Sequence, residues 1–387
     1  MSEGVITSAV GRALSGLLLL ACGSVAPSNV SGGDASRDVR TRVDAGRDGG
    51  DASPDAHTHV DAGQETAAGL HEAGTDGSPC GTGEPGVLCL AATPPARQNG
   101  PLAVDDANVY WGENGPSDET SFIASLPRAG GAVTTLAASV SVALATDGVN
   151  LYWGHPNPPN PVGELLVVPV AGGQVTTLAT GALPGCIVLD EDNVYWTDEY
   201  EGTVSKVAKS GGPTLTLAPI NWPVDTNGYA IAVDSSSVYW VADGLFKVGK
   251  GGGAVTTLLS SDAGATGGAC RSLGVVGGSL VALLQPPQSV DSFDAETPYQ
   301  VVTVPSSGAG TPRAIVPGGS ARMIAAGPTT VYWEGLSTGI QIRETPIDGG
   351  PSTLLATPAA YLVSDMVLAS DGTLYWLTNS QLQSIRP

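Results

Sequence analysis

The chain has 387 residues and a net charge of −21, from 37 acidic and 16 basic side chains. Nucleic acids bind basic surfaces that release their counterions, so this charge argues against a nucleic-acid partner. Length alone would allow two or three domains. Internal repeats, however, indicate that most of the chain forms a single domain.

The first residues have the pattern of an export signal. An apolar run over residues 13–21 follows Arg12 and is too short to span a bilayer, which is typical of a signal-peptide core. The run ends in a Leu-Leu-Ala-Cys tetrad at Cys22, which resembles the bacterial lipobox. That resemblance implies that residues 1–21 are cleaved, that Cys22 is lipidated, and that the lipid is the protein's only membrane contact. Gly23 implies sorting to the outer membrane or cell surface. An ordinary cleaved signal peptide or a misassigned start is the alternative.

Residues 22–79 are predicted to be a disordered tether. They are rich in Asp, Ala, Gly, Ser and Thr and have almost no large apolar side chains. Such a segment cannot bury enough surface to offset its chain entropy. His57 and His59 have no second pair of ligands nearby, so a solvated tether is favoured over a metal site.

A Tyr-Trp dipeptide recurs about every 43 residues over the rest of the chain, at a period that predicts a β-propeller. Six of the seven tryptophans occupy this position, after Tyr110, Tyr152, Tyr195, Tyr239, Tyr332 and Tyr375. The gap between Tyr239 and Tyr332 spans two periods, and in its middle Val281 and Ala282 replace the dipeptide. The sequence therefore contains seven units.

Each unit is predicted to form four short strands, named A to D. Strand A ends five residues before the tyrosine, and strand B carries Tyr-Trp. Strand C alternates between apolar and polar residues, and a Gly-Gly turn then leads to a Thr-rich strand D. An Asp ends strand A in four units, at Asp105, Asp147, Asp190 and Asp234. A residue repeated so often does not mark one active site, so we expect these Asp residues to cap turns and the Tyr-Trp pairs to pack between blades.

The last unit stops before its strand D, whereas residues 86–91 resemble an orphan strand D ahead of the first unit. We therefore predict an all-β fold over residues 80–387, a seven-bladed β-propeller with four-stranded antiparallel blades. The N-terminal strand completes the last blade, which protects a sheet edge. A six-bladed ring is the alternative.

The units resemble the YWTD repeats of the low-density-lipoprotein-receptor class and the related propellers of bacterial surface lipoproteins. Only Tyr195-Trp196-Thr197-Asp198 has the full tetrapeptide, and the other copies keep Tyr-Trp. Receptor propellers of this class have six blades, so the resemblance implies the blade and not the receptor's ligands.

Variation between the units is confined to one rim of the predicted ring. The A–B and C–D turns, here called the tight rim, are short, whereas the B–C and D–A loops, here called the variable rim, differ in length and are mostly acidic. Functional residues on rigid scaffolds tend to lie on such loops. The candidate binding residues of the variable rim are Glu113, Asp118, His155, Asp198, Tyr200, Trp222, Asp225, Arg271, Tyr299, Arg322 and Glu334.

These features predict a surface-anchored lipoprotein whose propeller binds or scaffolds without catalysis. Its partner is an unknown protein, a glycan or a cationic ligand, although an acidic surface that serves only solubility explains the same charge. His155 is the only histidine in the repeats, so no catalytic residues are assigned and a multi-histidine metal site is not expected. The alternative is a carboxylate-based or calcium-dependent hydrolase or lyase, and calcium is the only cofactor considered.

Four cysteines remain after Cys22. Cys80 and Cys89 are nine residues apart across a Gly-rich stretch and are predicted to form a disulfide in an oxidising compartment. Cys186 and Cys270 each precede a strand A, with a whole unit between them. Their pairing is left open.

Overall fold

The computed structural model describes residues 86–92, 98–157, 162–198, 200–220, 229–242, 244–260, 272–284, 299–316, 321–336, 339–360 and 362–387. The predictions for the signal peptide, the tether, Cys22 and Cys80 lie outside these residues, as do those for Trp222, Asp225, Cys270 and Arg271. Within them, no helix is long and apolar enough to cross a membrane.

The strands form seven four-stranded antiparallel sheets, which confirms the seven-bladed β-propeller and excludes the six-bladed alternative. Blade 1 comprises β2 (Gln98–Val104), β3 (Asn108–Asn114), β4 (Phe122–Pro127) and β5 (Thr134–Ala137). Blade 2 comprises β6 (Ala143–Thr146), β7 (Asn150–His155), β8 (Glu164–Pro169) and β9 (Thr176–Thr180). Blade 3 comprises β10 (Pro184–Leu189), β11 (Asn193–Asp198), β12 (Thr203–Ala208) and β13 (Leu215–Pro219). Blade 4 comprises β14 (Ile231–Val233), β15 (Ser237–Val241), β16 (Leu245–Gly249) and β17 (Thr256–Leu259). Blade 5 comprises β18 (Leu273–Val276), β19 (Ser279–Leu284), β20 (Gln300–Pro305) and β21 (Arg313–Val316). Blade 6 comprises β22 (Ala321–Ala326), β23 (Thr330–Leu336), β24 (Ile340–Pro346) and β25 (Thr353–Ala356).

Blade 7 is built from both ends of the repeat region, as the sequence predicts. It comprises β26 (Val363–Leu368), β27 (Leu374–Thr378), β28 (Gln381–Ile385) and β1 (Val87–Ala92). The outermost strand β1 pairs antiparallel with β28, so hydrogen bonds hold this blade together where the chain is not continuous. The innermost strands β26 and β2 are in contact, as are the other successive innermost strands, and the ring is therefore closed.

The Tyr-Trp dipeptide forms the interfaces between blades because neighbouring residues of a strand point to opposite faces of the sheet. Tyr110 of blade 1 packs in one apolar cluster with Trp153 of blade 2, and Tyr375 of blade 7 packs with Trp111 of blade 1. In blade 5 the Tyr and Trp positions are held by Val281 and Ala282, which face blades 6 and 4 respectively. Each tyrosine thus faces the next blade and each tryptophan the preceding one.

The outer edges of the blades are short and irregular. In blades 1 to 6 the pairing of strand C with strand D shifts at the same place, for example between Val204 and Ser205. Such a bulge interrupts the row of backbone groups that would otherwise recruit another strand. The outer edges are therefore poor docking surfaces, and the two rims are left as the places for a site.

Candidate functional site

The Asp residues at the end of strand A are turn caps, as predicted. One carboxylate oxygen of Asp190 accepts hydrogen bonds from the backbone N–H of Asp192 and Asn193 at 3.0 and 2.7 Å, and the other accepts the Tyr195 hydroxyl at 2.8 Å. The same three bonds occur at Asp105, Asp147 and Asp234. The tyrosine bond links the turn to the core and adds to the cap expected from sequence.

Basic side chains of the tight rim join two of these turns to the neighbouring blade. Lys209 of blade 3 pairs with Asp147 of blade 2 at 2.9 Å, and Lys250 of blade 4 pairs with Asp190 of blade 3 at 2.8 Å. Burial raises the pKa of Asp190, but the hydrogen bonds from Lys250, Tyr195 and the backbone outweigh it and hold the pKa well below its usual value. Lys209 and Lys250 are therefore engaged in contacts between blades, whereas the acids Glu191 and Asp192 of the same rim are exposed.

Blade 7 has no Asp at this position, and a cation contacts the tyrosine hydroxyl instead. Arg128 of blade 1 donates through Nε to the Tyr375 hydroxyl at 2.9 Å and pairs with Asp371 at 2.5 Å. Ser370, which replaces the usual Asp, donates to Asp106 of blade 1 at 2.6 Å. The blade completed by β1 is thus tied to blade 1 on the tight rim as well as through the core.

Two of the candidate acids on the variable rim have a structural role. Glu113 and Asp198 lie two residues after the tryptophan of their blades and accept its indole N–H, at 3.1 and 3.3 Å. Both are buried. Asp198 also accepts the backbone N–H groups of Tyr200 and Glu201, which shapes the loop beyond. These carboxylates support the rim from inside and are not presented to solvent.

Glu334 differs from these acids because it directly follows the tryptophan and therefore lies on the opposite face of its strand. The indole of Trp333 bonds instead to the Thr345 hydroxyl at 3.0 Å. Glu334 is fully buried, and neither of its carboxylate oxygens has a hydrogen-bond partner among the described residues. Burial raises its pKa to about 7, although the nearby charge of Arg322 acts in the opposite direction. An acid in this environment is unusual and is often functional.

A cavity of about 490 Å³ opens on the variable rim at blade 6, the blade that contains Glu334. It is lined by the start of β24 and the connection from blade 6 to blade 7, namely Gly339, Ile340, Gln341, Thr357, Pro358, Ala359 and Ala360. Glu334 pairs across the sheet with Ile342, and Leu336 pairs with Ile340. Ile340 therefore lies on the same sheet face as Glu334, two residues closer to the rim.

Ser139, His155 and Asp118 also come together on this rim, a grouping that the sequence analysis missed because Ser139 has no motif around it. His155 Nδ1 lies 3.2 Å from Ser139 Oγ, and its Nε2 lies 3.7 Å from Asp118 Oδ2. Ser139 is buried, accepts the Trp153 indole N–H and donates to the carbonyl of Val140. A catalytic triad needs an accessible hydroxyl and two close hydrogen bonds. This cluster instead joins the loops of blades 1 and 2.

The remaining candidates are dispersed around the rim. Tyr200 is exposed at the loop of blade 3, Arg322 is exposed on β22, and Tyr299 is partly buried against the core between blades 5 and 6. In the part of the chain that the structure describes, no group of three or more His, Cys, Asp or Glu side chains could hold a metal ion. Calcium binding stays a prediction.

The cysteine predictions also stay open. Cys89 lies on β1 and Cys186 on β10, and both are buried. Their candidate partners, Cys80 and Cys270, lie outside the described residues.

The closed ring defines the protein as a seven-bladed β-propeller, and comparison with solved structures agrees with this class. The chain is similar to the WD40 propeller domain of Doa1, with a TM-score of 0.58 and 11% identity, covering 78% of this chain and 97% of that one. It is similar to a streptogramin B lyase, with a TM-score of 0.57 and 13% identity, covering 77% of this chain and 96% of that one. It is also similar to hydrazine synthase of Kuenenia stuttgartiensis, with a TM-score of 0.57 and 14% identity, covering 76% of this chain and 96% of that one. At these identities the similarity extends to the fold alone. No protein-family model matches the sequence, and no curated protein matches it either.

Proposed function

We propose that this protein is a surface-anchored lipoprotein whose propeller binds a ligand or partner through the variable rim without catalysis. The observation that carries the proposal is the contrast between the two rims. On the tight rim, Arg128, Lys209 and Lys250 are engaged in bonds between blades. The variable rim has the longer loops, exposed acids such as Glu119 and Glu201, and a cavity lined by Ile340, Pro358 and Ala359.

The anchoring part of the proposal rests on the sequence of the first 79 residues. Lipidation at Cys22 would fix the protein to a membrane, most simply the outer membrane. The Asp-rich and Gly-rich segment that follows would act as a flexible tether of about 40 Å mean reach. A ring held in this way can approach its partner with either rim.

Charge on the variable rim would guide a cationic partner, and this can be tested with immobilised poly-L-lysine as the probe. The full-length protein should be captured at low salt and released at high salt, because salt screens exposed charges over about 8 Å at physiological ionic strength. A triple variant of exposed variable-rim acids, Asp118→Asn, Glu119→Gln and Glu201→Gln, should bind about tenfold more weakly.

The matched control removes the same charge from exposed acids of the tight rim, with Glu191→Gln, Asp192→Asn and Asp348→Asn. This variant should bind almost as well as the unmodified protein. Equal weakening by the two triple variants would show that net charge alone attracts the polymer, and the variable rim would then have no special role.

A second candidate function is a carboxylate-based hydrolase or lyase. The observation that motivates it is the buried carboxylate of Glu334, which has no hydrogen-bond partner among the described residues and whose pKa burial raises to about 7. Turnover of nitrophenyl esters or glycosides that is lost in Glu334→Gln, while the fold is retained, would support it. A rise in melting temperature with millimolar Ca²⁺ would support the calcium-dependent form, since a ligand of the folded state stabilises it.

A further inference from the structure

The wall of the cavity at blade 6 contains a polar side chain whose orientation the structure fixes, Gln341. Gln341 and Arg343 are two residues apart on β24, so their side chains share one face of the sheet. Nε of Arg343 donates a hydrogen bond to Oε1 of Gln341 at 2.9 Å. A guanidinium group has donors and no acceptor, so the amide atom that it contacts must be the oxygen. The amide nitrogen of Gln341 therefore lies on the side away from Arg343.

The core of the blade holds Arg343 in place. Its guanidinium carbon lies 5.9 Å from the centre of the Trp333 ring, which is a cation–π contact. Trp333 is the cross-strand partner of Arg343, is buried, and donates its indole N–H to the Thr345 hydroxyl. These contacts hold the Gln341 amide in one orientation. A hydrogen bond from a cation to the amide oxygen also polarises the amide and strengthens its N–H groups as donors.

The N–H groups of the Gln341 amide have no hydrogen-bond partner among the described residues, and the side chain is half-buried in the cavity wall. Thr357 is exposed and adds a hydroxyl group to the same cavity, whereas Ile340 and Pro358 are buried and form an apolar wall. None of the described lining residues carries a charged side chain. The cavity therefore combines an oriented hydrogen-bond donor with an apolar surface.

We propose that this cavity is a binding site for an uncharged sugar, whose oxygen atoms accept hydrogen bonds from Gln341 and whose apolar face packs on Ile340 and Pro358. A sugar ring has hydroxyl groups around its edge and carbon-bound hydrogens on its faces, which is the same division as in the cavity. The inference rests on the proposed binding function of the variable rim. It names one site on that rim and one class of ligand.

The size and charge of the cavity both favour such a ligand. Its volume of about 490 Å³ lies within the usual range for small-molecule sites, which have apolar walls and a few placed polar groups. A cation would find no carboxylate among the described lining residues, because Glu334 of the same blade is fully buried and does not line the cavity. An anion would have to approach a chain of net charge −21. An uncharged ligand meets neither difficulty.

The test measures the binding of glucose, galactose, mannose and N-acetylglucosamine to the full-length protein by isothermal titration calorimetry. At least one of these sugars should bind saturably, with nearly the same affinity at low and high salt, because no charges are paired. Gln341→Ala should weaken binding by about fivefold, as expected for the loss of one hydrogen bond. Ala359→Trp, at an exposed position of the cavity wall, should fill the cavity and abolish binding.

Two variants of Arg343 test whether the orientation of the amide matters. Arg343→Met keeps an apolar side chain over Trp333 but cannot donate to Gln341, so it should weaken sugar binding by about threefold. Arg343→Lys retains a donor and should bind more strongly than Arg343→Met. Glu201→Gln, which removes an exposed acid elsewhere on the same rim, should bind like the unmodified protein. Melting curves show whether each variant is folded.

Three outcomes would overturn the site: no saturable binding of any of these sugars, unchanged binding by folded Gln341→Ala and Ala359→Trp, or binding that is lost at high salt. If the sugars do not bind while poly-L-lysine capture still depends on the variable-rim acids, the rim function stands and only this site is wrong. If capture does not depend on those acids but a sugar binds and Gln341→Ala weakens it, the cavity stands and charge is not the recognition element of the rim.

Discussion

The burial of Glu334 makes a quantitative prediction about stability and pH. Its pKa rises from 4.5 to about 7 in the folded protein, because burial disfavours the charged carboxylate. Each pKa unit corresponds to about 1.4 kcal/mol, so the ionised glutamate destabilises the folded state by about 3 kcal/mol. Glutamine has nearly the same shape and no charge to bury. Glu334→Gln should therefore increase the free energy of unfolding by about 3 kcal/mol at pH 8.

The stability difference between glutamate and glutamine at position 334 depends on pH. Below pH 4.5 the carboxyl is protonated in both the folded and the unfolded protein, so the penalty is absent. Between pH 4.5 and about 7 the unfolded chain releases the proton while the folded protein keeps it, and the penalty grows until the folded pKa is passed. The stability advantage of Glu334→Gln should be small at pH 4, intermediate at pH 6 and complete at pH 8.

Urea unfolding followed by tryptophan fluorescence measures this difference at the three pH values, because six tryptophans lie in the blades. Glu201→Gln is the control, since its side chain is exposed and should leave the stability difference close to zero at every pH. A gap that is equal at pH 4 and pH 8 would mean that packing and not charge distinguishes glutamine from glutamate. A variant less stable than the unmodified protein at pH 8 would refute the reasoning outright.

Three further predictions concern the repeat and the anchor. Trp196→Ala should cost about 3–5 kcal/mol of stability, because the side chain is fully buried between blades 2 and 3, and a stable variant with altered ligand binding would contradict this. Tyr195→Phe should cost about 1 kcal/mol in urea unfolding through loss of its bond to Asp190. Tyr332→Phe should cost much less, because burial and the charge of Glu344, and no hydrogen bond within the described residues, act on its hydroxyl. Cys22→Ser should move the protein from the membrane fraction to the soluble fraction, and an unmodified Cys22 in a soluble wild-type protein would show that the lipobox interpretation is wrong.

The sequence was sufficient for the architecture because the repeat fixes the blade and the chain ends fix the closure. Tyr-Trp in a strand must place one ring on each face, so a ring of such strands alternates the two between neighbours. The degenerate copy at Val281 and Ala282 was recognisable by its spacing, and it occupies a regular blade. The orphan strand β1 was recognisable by its pattern, and it pairs with β28.

The candidate site could be located on a rim from sequence but not resolved into residues. Glu113, Asp198 and Glu334 are all acids just after a tryptophan, and composition does not separate them. The first two accept the indole N–H, whereas the third is one residue out of step and lies on the apolar face between blades 6 and 7. Its effect depends on which side chains surround it, and those come from another blade.

The sequence alone therefore determined the local and periodic features. These are the alternation of side chains along the strands, the turn-capping Asp residues, the seven copies of the repeat and the completion of the last blade by the N-terminal strand. These follow from spacing along the chain. The tertiary structure decided which acids accept hydrogen bonds within the protein, that Ser139, His155 and Asp118 meet, and that the Glu334 carboxylate is buried with no hydrogen-bond partner among the described residues. Those facts depend on contacts between blades, and the burial of a charge is set by neighbours that are distant in sequence.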